Sequence, residues 1–132
     1  MDGIHLCSYG FYDECIHKYG DATVYHYFID LFNYMPITAL VGDSIFAVHG
    51  GLSPNINSID QIRTLNRIID PEGGSICDLL WSDPSDEDGW KPNNRGAGYY
   101  FGNDVTSMFV KENGIDVICR GHQLVMNVGR RD

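Results

Sequence analysis

The apolar residues fall into short runs whose spacing sets the elements. Phe11 to Tyr19 reads as a short helix, closed by Gly20 where a left-handed residue is wanted. Asp21 can cap a second helix over Thr23 to Tyr34. In it Val24, Tyr27, Phe28, Leu31 and Phe32 recur at the three-and-four spacing of a buried stripe, and Pro36 ends the segment. The pattern then changes. Ile37 to Val41 and Ser44 to Val48 are mostly apolar runs on either side of Gly42-Asp43, which is hairpin punctuation even though Asp-Gly would be the better order. Ser58 can cap a short helix near Ile59 to Arg67, and Cys77 to Trp81 is a brief apolar element. Asn103 is placed to cap a helix that runs to Asn113 and stops at Gly114, and a buried strand follows over Ile115 to Cys119. Asp70 to Ser75 and the polar stretch Ser82 to Arg95 read as loops. Helices precede strands, which predicts an α/β fold.

Composition narrows the function classes. At 132 residues the chain is one domain or part of one. A net charge of -9 argues against nucleic acid as a partner, which needs a basic face. No apolar stretch approaches the ~20 residues of a membrane span, so no membrane partner is expected. No basic-then-apolar leader is visible, so the expected location is cytoplasm or nucleus. Cys7, Cys15, Cys77 and Cys119 form no C-x-x-C pair, which argues against a structural zinc site, and with no export signal visible a disulfide framework is not expected. Cys15 and Cys119 read as buried, reduced thiols.

Two segments carry the chemistry: His49-Gly50-Gly51-Leu52 and Arg120-Gly121-His122-Gln123, each just past an apolar run. Ligands in open α/β folds gather beyond the carboxyl ends of the strands, and a neutral imidazole there suits zinc, iron or manganese. Either histidine could instead be a core or turn residue bonded to backbone, but two in one context raise each other's weight. Gly50 and Gly51 let backbone approach a bound group closely. Arg95, in the flexible Arg95-Gly96-Ala97-Gly98 loop, reads equally as a bidentate phosphate clamp and as a loop arginine that is either solvated or paired with the nearby acidic run. Asp83 is read as a turn aspartate before Pro84, although a carboxylate ligand is the rival reading. Asp86, Glu87 and Asp88 read as a solvated rim, Asp43 as a turn residue, and His5, His17 and His26 as surface or packing residues.

Taken together, these segments resemble the metallophosphoesterase-type (calcineurin-like) serine/threonine protein phosphatases, most closely the type 2A group of catalytic subunits. The strings that carry the likeness are Tyr9-Gly10-Phe11-Tyr12-Asp13-Glu14-Cys15, His49-Gly50-Gly51-Leu52-Ser53-Pro54, Asp78-Leu79-Leu80-Trp81-Ser82-Asp83-Pro84, Arg95-Gly96-Ala97-Gly98-Tyr99, Phe101-Gly102 and Arg120-Gly121-His122-Gln123-Leu124-Val125-Met126. Their order and spacing span about Tyr9 to Met126.

The resemblance implies a partial metallophosphoesterase β-sandwich flanked by helices. It implies hydrolysis of phosphoserine and phosphothreonine by a metal-activated water at a centre of two divalent ions (manganese, iron or zinc). It assigns His49 and His122 to the second metal and Arg95 to the substrate phosphate, and it puts Trp81 and Asp83 in loops beside the active site. Phosphoprotein substrates and type 2A-like regulatory or scaffold subunits are the implied partners. The family pattern also has Gly-Asp-x-His-Gly, Gly-Asp-x-x-Asp-Arg-Gly and Gly-Asn-His-Glu motifs, which carry the first-metal ligands, the bridging aspartate and the general acid, and it has a later strand with a tyrosine. None is found here, and Gly121 stands where alanine is common. Residues 1–132 therefore read as the central-to-C-terminal part of such a catalytic domain. The expectation for the chain alone is little or no activity, and the alternative is a non-catalytic fragment acting only through protein binding.

Overall fold

The computed structural model describes residues 10–68 and 73–124. Expectations for Tyr9, His5, Cys7, Asp70, Pro71 and the Val125-Met126 string lie outside the described residues. Chain contacts divide into two compact units.

In the smaller unit, α1 (Phe11–Tyr19) forms where the sequence places it, whereas α2 (Thr23–Phe32) stops two residues before Tyr34 and has Ala22, not Asp21, at its N-cap. Gly20 takes the left-handed conformation at φ 85, and Asp21 accepts the Thr23 N–H at 2.8 Å. The end of α2 is closed by a cation: Arg67 donates to the carbonyls of Met35 and Phe32, which have no partner inside the helix. The predicted stripe is rotated. Tyr25 is the buried residue of α2, whereas Tyr27 and Leu31 are 68% and 53% exposed. Aromatic stacking decides this, because Phe11 lies against Tyr25, Phe28 and Phe32, and Tyr12 meets Tyr25 edge-on at 5.0 Å. Spacing alone gives no such preference among large apolar side chains.

The larger unit holds every candidate functional residue. β1 (Thr38–Val41) and β2 (Ile45–Val48) form the expected hairpin, and both Gly42 and Asp43 stand at positive φ, as a type I′ turn requires. α3 (Ile59–Arg63) is shorter than predicted and starts at a full capping box made by Ser58 and Gln61. α4 (Gly74–Trp81) extends the brief apolar element by one turn at its start. The Ser82–Arg95 stretch is not a plain loop. It contains β3 (Asp83–Pro84) and β4 (Trp90–Pro92), both paired to β5 (Tyr99–Phe101). These bridges are too short to leave a periodic signature. α5 (Asn103–Asn113) has Gly102, not Asn103, at its N-cap, and Gly114 ends it at φ 63. β6 (Val117–Arg120) begins after the buried Ile115. Cys119 is exposed rather than buried, because β6 alternates its faces and Ile118 takes the inner side.

The two three-stranded sheets run β1-β2-β6 and β3-β5-β4. One core is filled from both: Phe46 and Val48 of β2, Phe101 of β5, Leu79 of α4, Val105 and Phe109 of α5, with Leu52 and Ile56 from the connecting turn. Fully burying such a side chain contributes about 1.5–3 kcal/mol. Asn113 ties α5 to α3, donating to the Asn57 carbonyl at 2.9 Å and accepting the Ile59 N–H at 2.8 Å. The helices and mixed sheets bear out the α/β expectation. No helix among the described residues is long and apolar enough to cross a membrane.

Candidate metal and phosphate site

Strand pairing brings the two predicted histidines together. β2 and β6 are parallel neighbours, with Val48 opposite Arg120. His49 follows the first strand directly, and Gly121 donates its N–H to the His49 carbonyl at 3.2 Å. His122 then turns back at φ 67, a left-handed conformation that is uncommon outside glycine. The imidazole centroids end 5.2 Å apart, and the Trp81 ring meets His122 edge-on at 5.5 Å.

His49 is exposed, whereas the His122 side chain is mostly buried. His122 Nδ1 lies 3.3 Å from Asp83 Oδ1 but outside hydrogen-bond geometry, so this buried nitrogen makes no hydrogen bond. Burial lowers the His122 pKa most. Asp83 opposes that shift, while Arg95, His49 and Arg120 add to it. Burial thereby favours the neutral ring, the form that binds a metal. An imidazole nitrogen without a hydrogen bond, in a ring beside a second imidazole, is a donor type that a divalent cation accepts. Among the described residues no group of three His, Cys, Asp or Glu converges to complete one.

Asp83 is the main correction to the sequence reading. It is not a turn aspartate serving its own backbone. It is 1% exposed and takes Asn93 Nδ2 at 3.0 Å, Arg95 Nε at 2.8 Å and Arg120 Nη2 at 2.7 Å. Burial disfavours its charge, but these three donors together outweigh burial and hold its pKa below the usual carboxylate value. Arg95 is thus paired with Asp83 rather than with the acidic rim, and its Nη1 and Nη2 make no hydrogen bond among the described residues. The rim itself is exposed, as expected for Asp86, Glu87 and Asp88.

The glycines of the first motif are required by packing. Gly50 and Gly51 both donate to the Leu79 carbonyl. A Cβ on Gly50 would stand 2.4 Å from the Leu80 carbonyl carbon, and one on Gly51 would stand 2.3 Å from the Phe101 ring. The His49 turn is therefore pressed onto the end of α4.

The Arg120 and Asn93 side chains also belong to the site, which their sequence neighbours do not reveal. Arg120 donates through Nε to the Gly50 carbonyl and through Nη1 to Gln123 at 2.6 Å, so it links the turns that carry both histidines. Asn93 accepts the Arg95 N–H at 3.0 Å. The available signal was a single acid at one strand end, with arginines closing two nearby segments.

A calcineurin-like phosphoesterase family model matches residues 2–126. Among solved structures, the chain is similar to a protein serine/threonine phosphatase from Saccharomyces cerevisiae that is described as similar to human phosphatase PP5. The two are 32% identical with a TM-score of 0.79, and the match covers 88% of this chain and 36% of that one. This chain therefore spans well under half the length of that relative. With the family model matched over nearly its whole length, the chain belongs to the calcineurin-like phosphoesterase family.

Proposed function

We propose that this chain contributes part of a protein serine/threonine phosphatase centre that acts on phosphoserine and phosphothreonine of phosphoprotein substrates. The observation that supports this best is the pairing of the His49 and His122 rings beside the Asp83–Arg95 ion pair. His49 and His122 would hold one divalent cation at their ring nitrogens. Such a cation, when bound, acidifies water and offsets charge building on phosphoryl oxygens. The other residues act by position. Arg95 offers phosphate oxygens the Nη edge of its guanidinium, which is unbonded among the described residues. Trp81, edge-on to His122, restricts that ring.

For residues 1–132 alone, the same pair favours a non-catalytic reading. Two imidazoles carry no negative charge to offset a divalent cation, and the charge of Asp83 is already engaged by Arg95 and Arg120. Low turnover by the isolated chain follows.

The test is one peptide in phosphoserine and serine forms, titrated into the chain with and without manganese. The expected result is preference for the phosphorylated form, lost in Arg95→Ala, with negligible turnover. Equal binding of both forms contradicts the phosphate reading. Manganese-dependent turnover abolished by His49→Ala contradicts the inactivity of the isolated chain.

A further inference from the structure

Each partner of Asp83 leads to a different part of the site. Arg95 reaches it from the glycine-rich loop, Asn93 from the end of that loop's approach, and Arg120 from the last residue of β6. Arg120 also holds the carbonyl of Gly50, the residue after His49, and the side chain of Gln123, the residue after His122. One buried carboxylate thus joins the arginine loop to both histidine turns.

The way it grips Arg95 matters. Asp83 Oδ2 takes Nε, on the inner edge of the guanidinium, and the Arg95 backbone N–H is fixed separately by Asn93. Among the described residues the outer pair, Nη1 and Nη2, makes no hydrogen bond and is left for an anion. A long side chain anchored beforehand loses less freedom when it binds. Lysine, with no Nε–H edge, could not be held and also present a fork.

We propose that Asp83 is a positioning residue for phosphate recognition, fixing the Arg95 guanidinium by its inner edge so that the outer edge receives the anion. This rests on the reading of Arg95 as the phosphate arginine. Charge and position make opposite demands. A carboxylate near an anion repels it, so neutralising Asp83 strengthens phosphate binding if charge is all that matters. If position matters more, neutralising it weakens binding.

The test is a titration of inorganic phosphate into the chain, followed at the Arg95 Nε–Hε resonance. In the wild type that proton exchanges slowly and shifts with phosphate. Asp83→Asn weakens phosphate binding roughly tenfold, the loss of one ordered charge-assisted contact. Arg95→Ala costs about the same, and the double variant is no worse than Arg95→Ala, because both changes remove one function. Phosphate binding unchanged or tightened in Asp83→Asn overturns the positioning role and leaves the phosphate reading standing. No phosphate-dependent change at Arg95 in the wild type overturns both. A lower melting temperature with an unaltered titration is the mark of a purely structural Asp83 and also overturns the proposal. Should Asp83→Asn not fold, the wild type decides: an Arg95 Nε–Hε exchanging as fast as in free arginine refutes the proposal.

Discussion

Gly121 donates its backbone N–H to the carbonyl of His49 at 3.2 Å, one step beyond the Val48–Arg120 pair that closes the parallel ladder. This bond carries the register of β2 and β6 past the strands and sets the starting point of both histidine side chains. Gly121 is not in the left-handed region, and a Cβ there would lie 3.9 Å from His49 Nδ1, an ordinary contact. Gly121→Ala is therefore expected to stabilise the chain by about 0.4–1 kcal/mol, through the lower entropy of its unfolded state. Urea unfolding checks this, and a destabilised variant would show that the site needs a glycine at this position.

Gly50 gives the opposite expectation. A methyl group there would collide with the backbone of Leu80 at 2.4 Å, and backbone cannot swing aside. Gly50→Ala should cost about 1–3 kcal/mol or more and pull the His49 turn off α4. The readout is again urea unfolding, in parallel with Gly121→Ala. Equal midpoints for the two variants would contradict the packing role assigned to the His49 turn.

Asp78 predicts a pH effect on stability. It is buried on α4, its Oδ2 accepts the Ser53 hydroxyl at 2.6 Å, and burial raises its pKa above 3.8 despite that bond. A carboxyl raised on folding contributes most at low pH, below its unfolded value, and its contribution is lost as pH rises through the folded value. Asp78→Asn keeps an acceptor for Ser53 and cannot ionise. The stability difference between Asp78→Asn and wild type should therefore shift in favour of the variant as pH rises above 3.8. Denaturation across that range tests it, and a difference independent of pH would mean that Asp78 titrates normally.

Much of this site was legible in the sequence, for physical reasons. Buried strands end where their apolar runs end, so Ile45–Val48 placed His49, and Gly114 together with the run after it placed His122. The Ser58 cap and the Gly20 and Gly114 stops are local chemistry and formed as read. What stayed hidden depends on contacts between distant residues. Asp83 meets Arg120 across 37 positions, and nothing next to an Asp-Pro pair signals such a partner. The rotation of α2 toward Tyr25 follows from aromatic geometry, which residue spacing does not encode. The exposure of Cys119 depends on which strand face meets the core, and a one-residue change of phase reverses it.

In the proposed function, His49 and His122 hold one cation between them. Calorimetric titration of zinc or manganese into the wild type, His49→Ala, His122→Ala and His26→Ala tests it most directly, His26 being an exposed histidine on α2. The account predicts one ion per wild-type chain, at least roughly tenfold weaker binding in each of the first two variants, and no change in His26→Ala. Wild-type affinity retained in His122→Ala would contradict it.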